Sequence, residues 1–393
     1  MVATPTSFLR ERAYLAVSIT HFFVDVLNSS RTLLIAVLAL NLGLSNAQVG
    51  LSLLLYNVGN ALTQPLFGWL ADRVGPRWLV VGGIGWMIIF YAIAAIAGDW
   101  VALVALTVAG LGSGMFHPTG AMVAGRVQQS VRARATAVFF TAGQMGLFIG
   151  PILAGLLLDL FNRPGYLILA ALALIAFTSG WQWIGSDYNT TKPKQTAVSS
   201  PNTTTATAGT AKPNLRPLIL LPLIIIATST TGIAAINFAP KLFTDMGIDP
   251  TFVGLLASLL MLGSATGNTL GGYLADRMGG KWVLLMAALG STIPIYLYVT
   301  AADPLRSAML ILAGFFIGMP HSILVMSVQN LLPGRQALAS GLVLGFMFFS
   351  GSVGSYVLGI VADQTGLATA LQATAVLPIL AAFAILLLPQ KIS

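Results

Sequence analysis

The sequence contains no cysteine and very little charge. Without cysteine, disulfides and thiolate chemistry are excluded, and composition says nothing about the redox compartment. Charged residues make up 8% of the 393 residues, hydrophobic residues make up 56%, and the mean hydropathy is +0.88. Ordinary soluble domains carry about 25% charged residues. The composition therefore predicts a protein that crosses a membrane many times.

Motifs for nucleotide and metal chemistry are also missing. No stretch matches a glycine, four residues and Gly-Lys-Ser/Thr, so we expect no ATP site. The chain has three histidines and no H-E-x-x-H motif, which argues against the ligand set of an intramembrane metalloenzyme. We therefore expect no enzymatic activity, no cofactor and no resident metal.

The net charge of +8 does not indicate a nucleic-acid partner. Lys and Arg residues stand singly between apolar runs, whereas a nucleic-acid-binding surface gathers them into a patch. Basic residues between membrane spans explain the charge better, because they face lipid head groups and the cytoplasm. We expect membrane lipid, and no nucleic acid, as a partner.

One eleven-residue stretch occurs twice, as GWLADRVGPRW at 68–78 and as GYLADRMGGKW at 272–282. Asp72 and Asp276 define an offset of 204 residues (276 − 72). The same offset, without any insertion, pairs Gly50 with Gly254, His117 with His321, Gly150 with Gly354, Gly155 with Gly359, and Asp159 with Asp363. One half of the chain is therefore predicted to be a copy of the other, as in two-bundle transporters.

Apolar segments of about 20 residues predict twelve membrane-spanning helices. They lie near 13–40, 47–71, 77–97, 101–125, 135–158, 164–184, 217–240, 250–275, 281–300, 305–332, 336–361 and 366–389. The predicted fold is an all-α membrane protein with two six-helix bundles, residues 1–184 and 217–393. Residues 185–216 are rich in Ser, Thr and Pro, cannot bury enough apolar surface to fold, and are predicted to be a cytoplasmic linker.

The distribution of basic residues predicts the orientation. One side of the predicted spans holds most of the Lys and Arg residues, whereas the other holds only Arg163, Lys241 and Arg306. Under the positive-inside rule the basic side is cytoplasmic. We therefore expect a multi-pass protein of the plasma membrane, the inner membrane of a bacterial cell, with both termini in the cytoplasm.

Both copies of the duplicated stretch fall in cytoplasmic connections, between predicted helices 2 and 3 and between helices 8 and 9. Their glycines allow a tight turn and close helix approach. Asp72 and Asp276 stand at helix ends, where a carboxylate can accept hydrogen bonds from a neighbouring helix N-terminus or pair with an arginine. Such contacts would hold the two bundles in one state and break in the other. In the alternative interpretation these charges only extend to the membrane surface.

The duplicated stretch resembles the signature of the major facilitator superfamily. The first copy matches at Gly68, Leu70, Asp72, Arg73, Gly75 and Arg77, and the second at Gly272, Leu274, Asp276, Arg277, Gly279 and Lys281. The resemblance covers the whole chain except the linker. It implies two bundles that rock around a central cavity, with these residues as a conformational gate.

A second motif lies in predicted helix 5, at Gly146, Gly150, Pro151, Ala154 and Gly155. It resembles a signature typical of proton-driven exporters in that superfamily, with Ala154 where a glycine is usual. Physically it describes a helix thinned and bent on its bundle-facing surface, although ordinary close packing explains the same residues. The segments HFFVDVLNSS and GLGSGMFHPTG are similar to the fosmidomycin resistance branch, through His21, Asp25, His117 and Pro118.

Polar residues inside predicted spans are the candidate substrate- and proton-binding residues, because a buried charge costs about 2.5–3.5 kcal/mol. They are His21, Asp25, Asn28 and Arg31 in helix 1, His117 in helix 4 and His321 in helix 10. The spacing places His21, Asp25 and Asn28 on one stripe of the helix. The resemblance implies that helices 1, 4, 7 and 10 line the central cavity.

Each candidate also has a structural alternative. Asp25 could form a structural pair with Arg31 or His21. His117 and His321 each adjoin a proline, so each could bond a backbone carbonyl freed by a kink. Arg31 could extend toward the outer face of the membrane.

The leading hypothesis is a monomeric secondary exporter of a small molecule or drug that works by alternating access. Protons would drive it, taken up and released by Asp25, with His21 or His117 tuning the proton affinity. Three alternatives stay open. His21, Asp25 and the cavity histidines, His117 and His321, could bind a divalent transition metal in a metal transporter, because a His and an Asp four residues apart on a helix can meet at one ion. Arg31 and the histidines could instead bind an organic anion, and the chain could be a non-transporting sensor.

Overall fold

The computed structural model describes residues 7–127, 131–185, 216–331 and 336–390, and no strand occurs among them. The helices are α1 (Arg12–Leu42), α2 (Asn46–Val74), α3 (Pro76–Ile96), α4 (Asp99–Ala124), α5 (Arg132–Phe161), α6 (Tyr166–Trp183), α7 (Arg216–Asp245), α8 (Pro250–Met278), α9 (Gly280–Thr300), α10 (Leu305–Gly318), α11 (Pro320–Leu331), α12 (Gln336–Thr365), α13 (Leu367–Ala373) and α14 (Val376–Leu386). Apart from its two end residues, the predicted linker lies outside the described residues.

Eleven segments of the described chain are long and apolar enough to cross a membrane. Two of them combine two helices each, α10 with α11 and α13 with α14. We predicted an unbroken helix at 305–332, but α11 starts anew at Pro320, which has no N–H to continue the preceding helix. The predicted span that is missing from the eleven is α2, which is 29 residues long. Polar residues around its middle lower its hydropathy: Asn57, Asn60, Thr63 and Gln64.

The helix boundaries repeat in the register found in the sequence. The pairs α2 and α8, α3 and α9, and α5 and α12 begin and end at the 204-residue offset. In both copies of the duplicated stretch one glycine forms the turn between two helices. Gly75 has φ 97° and Gly279 has φ 87°, backbone conformations that other residues rarely adopt. The turn therefore explains why a glycine stands at this position in both copies.

Helix α1 lies at the centre of the first half, where it packs against α4, α5 and α6. In its most apolar window 78% of the residues are buried, more than in any of the other ten candidate spans. The two halves pack on one another through α5 on α8, α2 on α12 and α1 on α7. Among the described residues, the extensive contacts of α4, α10 and α11 stay within their own half.

Candidate functional site

The candidate site is a cluster of three side chains, His21 and Asp25 from α1 and His117 from α4, which we call the Asp25 cluster. His21 Nε2 lies 3.3 Å from Asp25 Oδ2, and His117 Nε2 lies 3.6 Å from Asp25 Oδ1. The side chains of His21 and Asp25 are 4% and 8% exposed, while that of His117 is 27% exposed. The two imidazoles thus address the two oxygens of one buried carboxylate, and His117 forms the accessible side.

Backbone carbonyls orient both imidazoles. His21 Nδ1 lies 2.8 Å from the carbonyl oxygen of Phe139, and His117 Nδ1 lies 2.9 Å from that of Ser113. A carbonyl oxygen can only accept, so each Nδ1 carries a proton and donates. In a neutral imidazole the other nitrogen, Nε2, then has no proton. With both rings neutral, both Nε2 lone pairs would face carboxylate oxygens, so a proton or another positive charge between them would stabilise the arrangement.

Asn28 connects the Asp25 cluster to α2 and α4. Its Nδ2 donates to Asp25 Oδ1 at 2.9 Å and to Ser113 Oγ at 3.1 Å, and its Oδ1 accepts a hydrogen bond from the Tyr56 hydroxyl. The amide therefore holds one carboxylate oxygen while both of its own ends are satisfied. The predicted stripe of His21, Asp25 and Asn28 forms one cluster, in which Asn28 is hydrogen-bonded to Asp25 and His21 lies beside the same carboxylate.

Arg31 lies beside these three residues and is buried, with 8% of its surface exposed. The structural alternative placed Arg31 toward the outer face of the membrane, but its side chain is buried instead. Its guanidinium lies 4.1 Å above the Tyr56 ring, donates to the backbone carbonyl of Asn28, and donates to Asn57 Oδ1 at 3.1 Å. Nε of Arg31 is buried without a hydrogen-bond partner in the described structure.

A row of glycines brings α5 against the site. A Cβ at Gly146 or Gly150 would strike the α1 backbone at Phe22 or Val26, so only glycine allows this approach. A Cβ at Gly143 would collide with His21 Nε2 and lie 2.7 Å from Asp25 Oδ2. We did not select Gly143 from the sequence, although it extends the glycine spacing of the helix 5 motif by one turn. Ser113 and the Phe139 carbonyl were also missed, since neither a lone serine nor a backbone group has a sequence signature.

Among the described residues, glycines bring the two halves into close backbone contact at the end of the molecule away from the duplicated stretches, called here the far end. A Cβ on Gly155 of α5 would strike the Pro250 carbonyl of α8, and a Cβ on Gly359 of α12 would come within 2.5 Å of the Asn46 carbonyl of α2. These two contacts are related by the 204-residue offset. The helix 5 motif therefore packs on α1 through Gly146 and Gly150 and on the other half through Gly155.

Two carboxylates reinforce the far end, again at equivalent positions. Asp363 of α12 accepts hydrogen bonds from the first backbone N–H groups of α2, at 2.6 Å from Asn46 N and 3.1 Å from Ala47 N. Asp159 of α5 accepts a hydrogen bond of 2.8 Å from the Thr251 hydroxyl of α8. A carboxylate at a helix N-terminus also meets the positive end of the helix dipole. Both contacts join the halves.

The duplicated stretches lie at the opposite end, here called the near end. Asp72 and Asp276 are exposed, and neither has a hydrogen-bond or ion-pair partner among the described residues. Arg73 lies over the Trp69 ring at 3.7 Å, and Arg277 lies over the Tyr273 ring at 4.4 Å. Within the described ranges, the predicted contacts of the two aspartates are therefore not made.

The last basic residue of each copy stabilises its own half. Arg77 lies 4.3 Å from the Trp181 ring of α6. Lys281 Nζ, the equivalent group, donates to the carbonyls of Leu386 and Leu388 at 2.8 and 2.6 Å, at the end of α14. Arg77 ties the start of α3 to the end of α6, and Lys281 ties the start of α9 to the end of α14.

His321 is the one intramembrane candidate that lies in the other half. It stands in the first turn of α11, is half-buried and has no hydrogen-bond partner in the described structure. The structure therefore brings His21, Asp25, Asn28, Arg31 and His117 together and leaves His321 apart.

Comparison with known proteins identifies the class. The sequence profile of the Major Facilitator Superfamily matches residues 17–237 and again residues 220–392. The chain belongs to this superfamily of membrane transporters, and the resemblance expected from the duplicated stretch is confirmed.

Two curated relatives extend over nearly the whole chain. The fosmidomycin resistance protein of Escherichia coli (strain K12) is 26% identical over 381 residues, covering 95% of this chain and 91% of the relative. The uncharacterized MFS-type transporter YfnC of Bacillus subtilis (strain 168) is 28% identical, covering 94% and 91%. A solved bacterial homolog of the human lysosomal transporter Spinster, inward-facing and unoccupied, has a TM-score of 0.78 at 14% identity, covering 96% of this chain and 97% of that one. This last likeness concerns the fold.

Proposed function

We propose that the protein is a proton-coupled exporter of a small molecule, with Asp25 as the proton-carrying residue. The observation that supports this is the Asp25 cluster, in which a buried carboxylate faces two imidazole nitrogens that have no proton in their neutral form. Each gap between Nε2 and a carboxylate oxygen has a place for one proton. Because His117 is the accessible member, protons would enter and leave through it.

The architecture we propose has twelve spans, with α2 as the twelfth. Two six-helix bundles, residues 1–184 and 217–393, are joined by a linker at 185–216, and the chain works as a monomer. By composition alone α2 is too polar to count as a span. Its polar residues suit a helix that faces the other half rather than lipid, since Asn57 Nδ2 donates to Ser352 Oγ of α12 at 2.9 Å. In this arrangement both termini and both duplicated stretches face the cytoplasm.

With that orientation, the structure corresponds to an inward-facing state. The halves are joined at the far end by glycine packing and by Asp159 and Asp363. At the near end Asp72 and Asp276 are exposed, and neither has a hydrogen-bond or ion-pair partner in the described part of the chain. Alternating access would break the far-end contacts and form the near-end ones.

The coupling test compares Asp25→Asn with Ser229→Ala, the substitution at the equivalent position of α7. In proteoliposomes with a pH-sensitive dye, Asp25→Asn should lose substrate-driven proton flux and uphill transport but keep downhill exchange, because the amide keeps size and hydrogen bonding without titrating. Ser229→Ala should behave as wild type. Proton flux that survives in Asp25→Asn would contradict the assignment.

The orientation is tested through the linker. The chain has no native cysteine, so Ser199→Cys provides one reactive thiol. An impermeant maleimide should label it only after the cells are permeabilised. Labelling of intact cells would reverse the proposed topology.

The substrate class is tested by growth. Because the relatives include a fosmidomycin resistance protein, cells expressing the chain are challenged with fosmidomycin and with lipophilic cations, beside cells expressing Asp25→Asn. Survival in fosmidomycin that requires Asp25 would favour an anionic substrate, with Arg31 as its partner. Survival only in the cations would favour a site built on Asp25 and aromatic side chains.

A further inference from the structure

We infer that the Asp25 cluster binds one divalent transition-metal ion, zinc in particular, in the place that the proposed function gives to protons. The three side chains each offer one ligand atom, and these atoms lie within 4.8 Å of one another. From the sequence we expected no resident metal, because the chain has three histidines and no H-E-x-x-H motif, but we left open a transported metal at His21, Asp25 and the cavity histidines.

Two of the separations match neighbouring ligands of one ion, with the carboxylate facing the ion through both of its oxygens. Zinc binds imidazole nitrogen and carboxylate oxygen at about 2.0–2.2 Å, so neighbouring ligand atoms of a tetrahedron lie about 3.3–3.5 Å apart. The two distances from Nε2 to carboxylate oxygen are 3.3 and 3.6 Å. Direct hydrogen bonds between these groups would be shorter, at about 2.7–2.9 Å. The cluster is therefore spaced for an ion between its members.

The surroundings prepare both histidines as ligands. In metal sites the nitrogen that does not bind the metal usually donates to a carbonyl or carboxylate, which fixes the tautomer and ring direction. His21 and His117 both do so through Nδ1, to Phe139 and Ser113. Asn28 holds the carboxylate in the same way at 2.9 Å. Three protein ligands with one accessible side leave a fourth position for water, as in open zinc sites.

Gly143 provides the space. A methyl group at this position would lie against His21 Nε2 and Asp25 Oδ2, where the ion would sit. Gly143→Ala therefore obstructs the site and must displace the His21 or Asp25 side chain, although all three ligand residues stay in the chain. The variant thus separates metal binding from the mere presence of two histidines and a carboxylate.

Binding can be measured in the detergent-solubilised full chain, without any transport. The chain is purified with a histidine-free tag, stripped with a chelator and titrated with Co²⁺, whose visible absorption reports tetrahedral coordination, and the Co²⁺ is then displaced by Zn²⁺. The chain has no cysteine and three histidines, so background sites are few. We expect one ion per chain.

Four variants decide the assignment. His117→Ala, His21→Ala and Gly143→Ala should each weaken Zn²⁺ binding by on the order of 100-fold, at least the loss that follows removal of a ligand's supporting partner. His321→Ala, the equivalent of His117 in the other half, should bind as wild type does. Monodisperse elution of each variant checks that it folds. Binding that is absent in wild type, or that is lost in His321→Ala but kept in His117→Ala, would overturn the site.

The metal-binding measurement is independent of the proposed function, although both concern the Asp25 cluster. Proton flux is measured with a chelator present and metal binding without transport, so either can fail alone. If both hold, Zn²⁺ should inhibit proton-coupled transport in wild type and in His321→Ala. Unchanged transport at a Zn²⁺ concentration that saturates the Co²⁺ site would show that the metal and the protons do not compete.

Discussion

The two halves carry different side chains around Asp25 and similar ones at their ends. Moving by 204 residues from the first half to the second replaces every polar member of the site except one histidine: His21 by Ile225, Asp25 by Ser229, Asn28 by Gly232, Arg31 by Ala235, Tyr56 by Leu260 and Ser113 by Ile317, whereas His117 is matched by His321. At the far end the glycine and aspartate pairs, Gly155 with Gly359 and Asp159 with Asp363, are identical.

This contrast separates two requirements of the fold. Closing a passage between two halves needs contacts from both, so the packing glycines and helix-end aspartates occur twice. Binding a charge needs one desolvated carboxylate, and a second at Ser229 would bury another charge without a partner. The copies therefore agree where the halves contact each other and differ around the Asp25 cluster.

The largest effect is expected at the far-end glycines, Gly155 and Gly359. It tests whether the two far-end contacts are equivalent. Gly155→Leu and Gly359→Leu should both reduce transport to background, because each side chain meets backbone carbonyls of the other half that cannot move aside. Transport in proteoliposomes and thermal unfolding in detergent measure the effect. Gly345→Leu on α12 is the matched control, since a Cβ there meets nothing within 4 Å. A normal transport rate in either variant would show that the two contacts are not equivalent.

The far-end aspartates sharpen the comparison, because their contacts differ. Asp363→Ala should open the far end more than Asp159→Ala, since Asp363 accepts two backbone N–H bonds at a helix N-terminus and Asp159 accepts one hydroxyl. Loss of a helix cap costs about 1 kcal/mol, roughly a five-fold shift in population.

The reporter for this shift is Val49→Cys, a position in α2 that is 1% exposed. Its maleimide labelling rate in purified protein should rise about five-fold with Asp363→Ala and less with Asp159→Ala. Asp303→Ala, which removes contacts to Ser307 and Arg306 of the same half, should leave the rate unchanged. The reverse order of the two aspartates would argue that the helix N-terminus contributes little.

The smallest effect on substrate affinity is expected at the near end. Asp72→Asn and Asp276→Asn should slow turnover while substrate affinity changes little. Both carboxylates are exposed and stand at the near-end termini of α2 and α8, whereas the Asp25 cluster lies on α1 and α4. Binding and turnover are measured separately. An affinity that falls as steeply as the transport rate would place Asp72 in the site or in the fold itself.

The sequence by itself determined the repeat, its register and the stripe on α1. These are local or periodic properties: apolar length predicts a span, a spacing of three to four residues predicts a shared helix face, and a fixed offset predicts duplication. The helices confirm that register, since three pairs begin and end at the same offset. Gly75 and Gly279 were likewise readable as turn residues, because their backbone conformation belongs to glycine.

Only the tertiary structure decided which polar groups meet. His21 reaches the Phe139 carbonyl, 118 residues away, and Asp363 reaches Asn46, 317 residues away. Such pairings depend on how each helix is rotated about its axis and on how closely two helices approach. The spacing of residues along one helix determines neither. For that reason the sequence predicted the same role for His117 and His321. The packing of α4 and α5 on α1 brings His117 to Asp25, whereas His321 lies apart from the cluster.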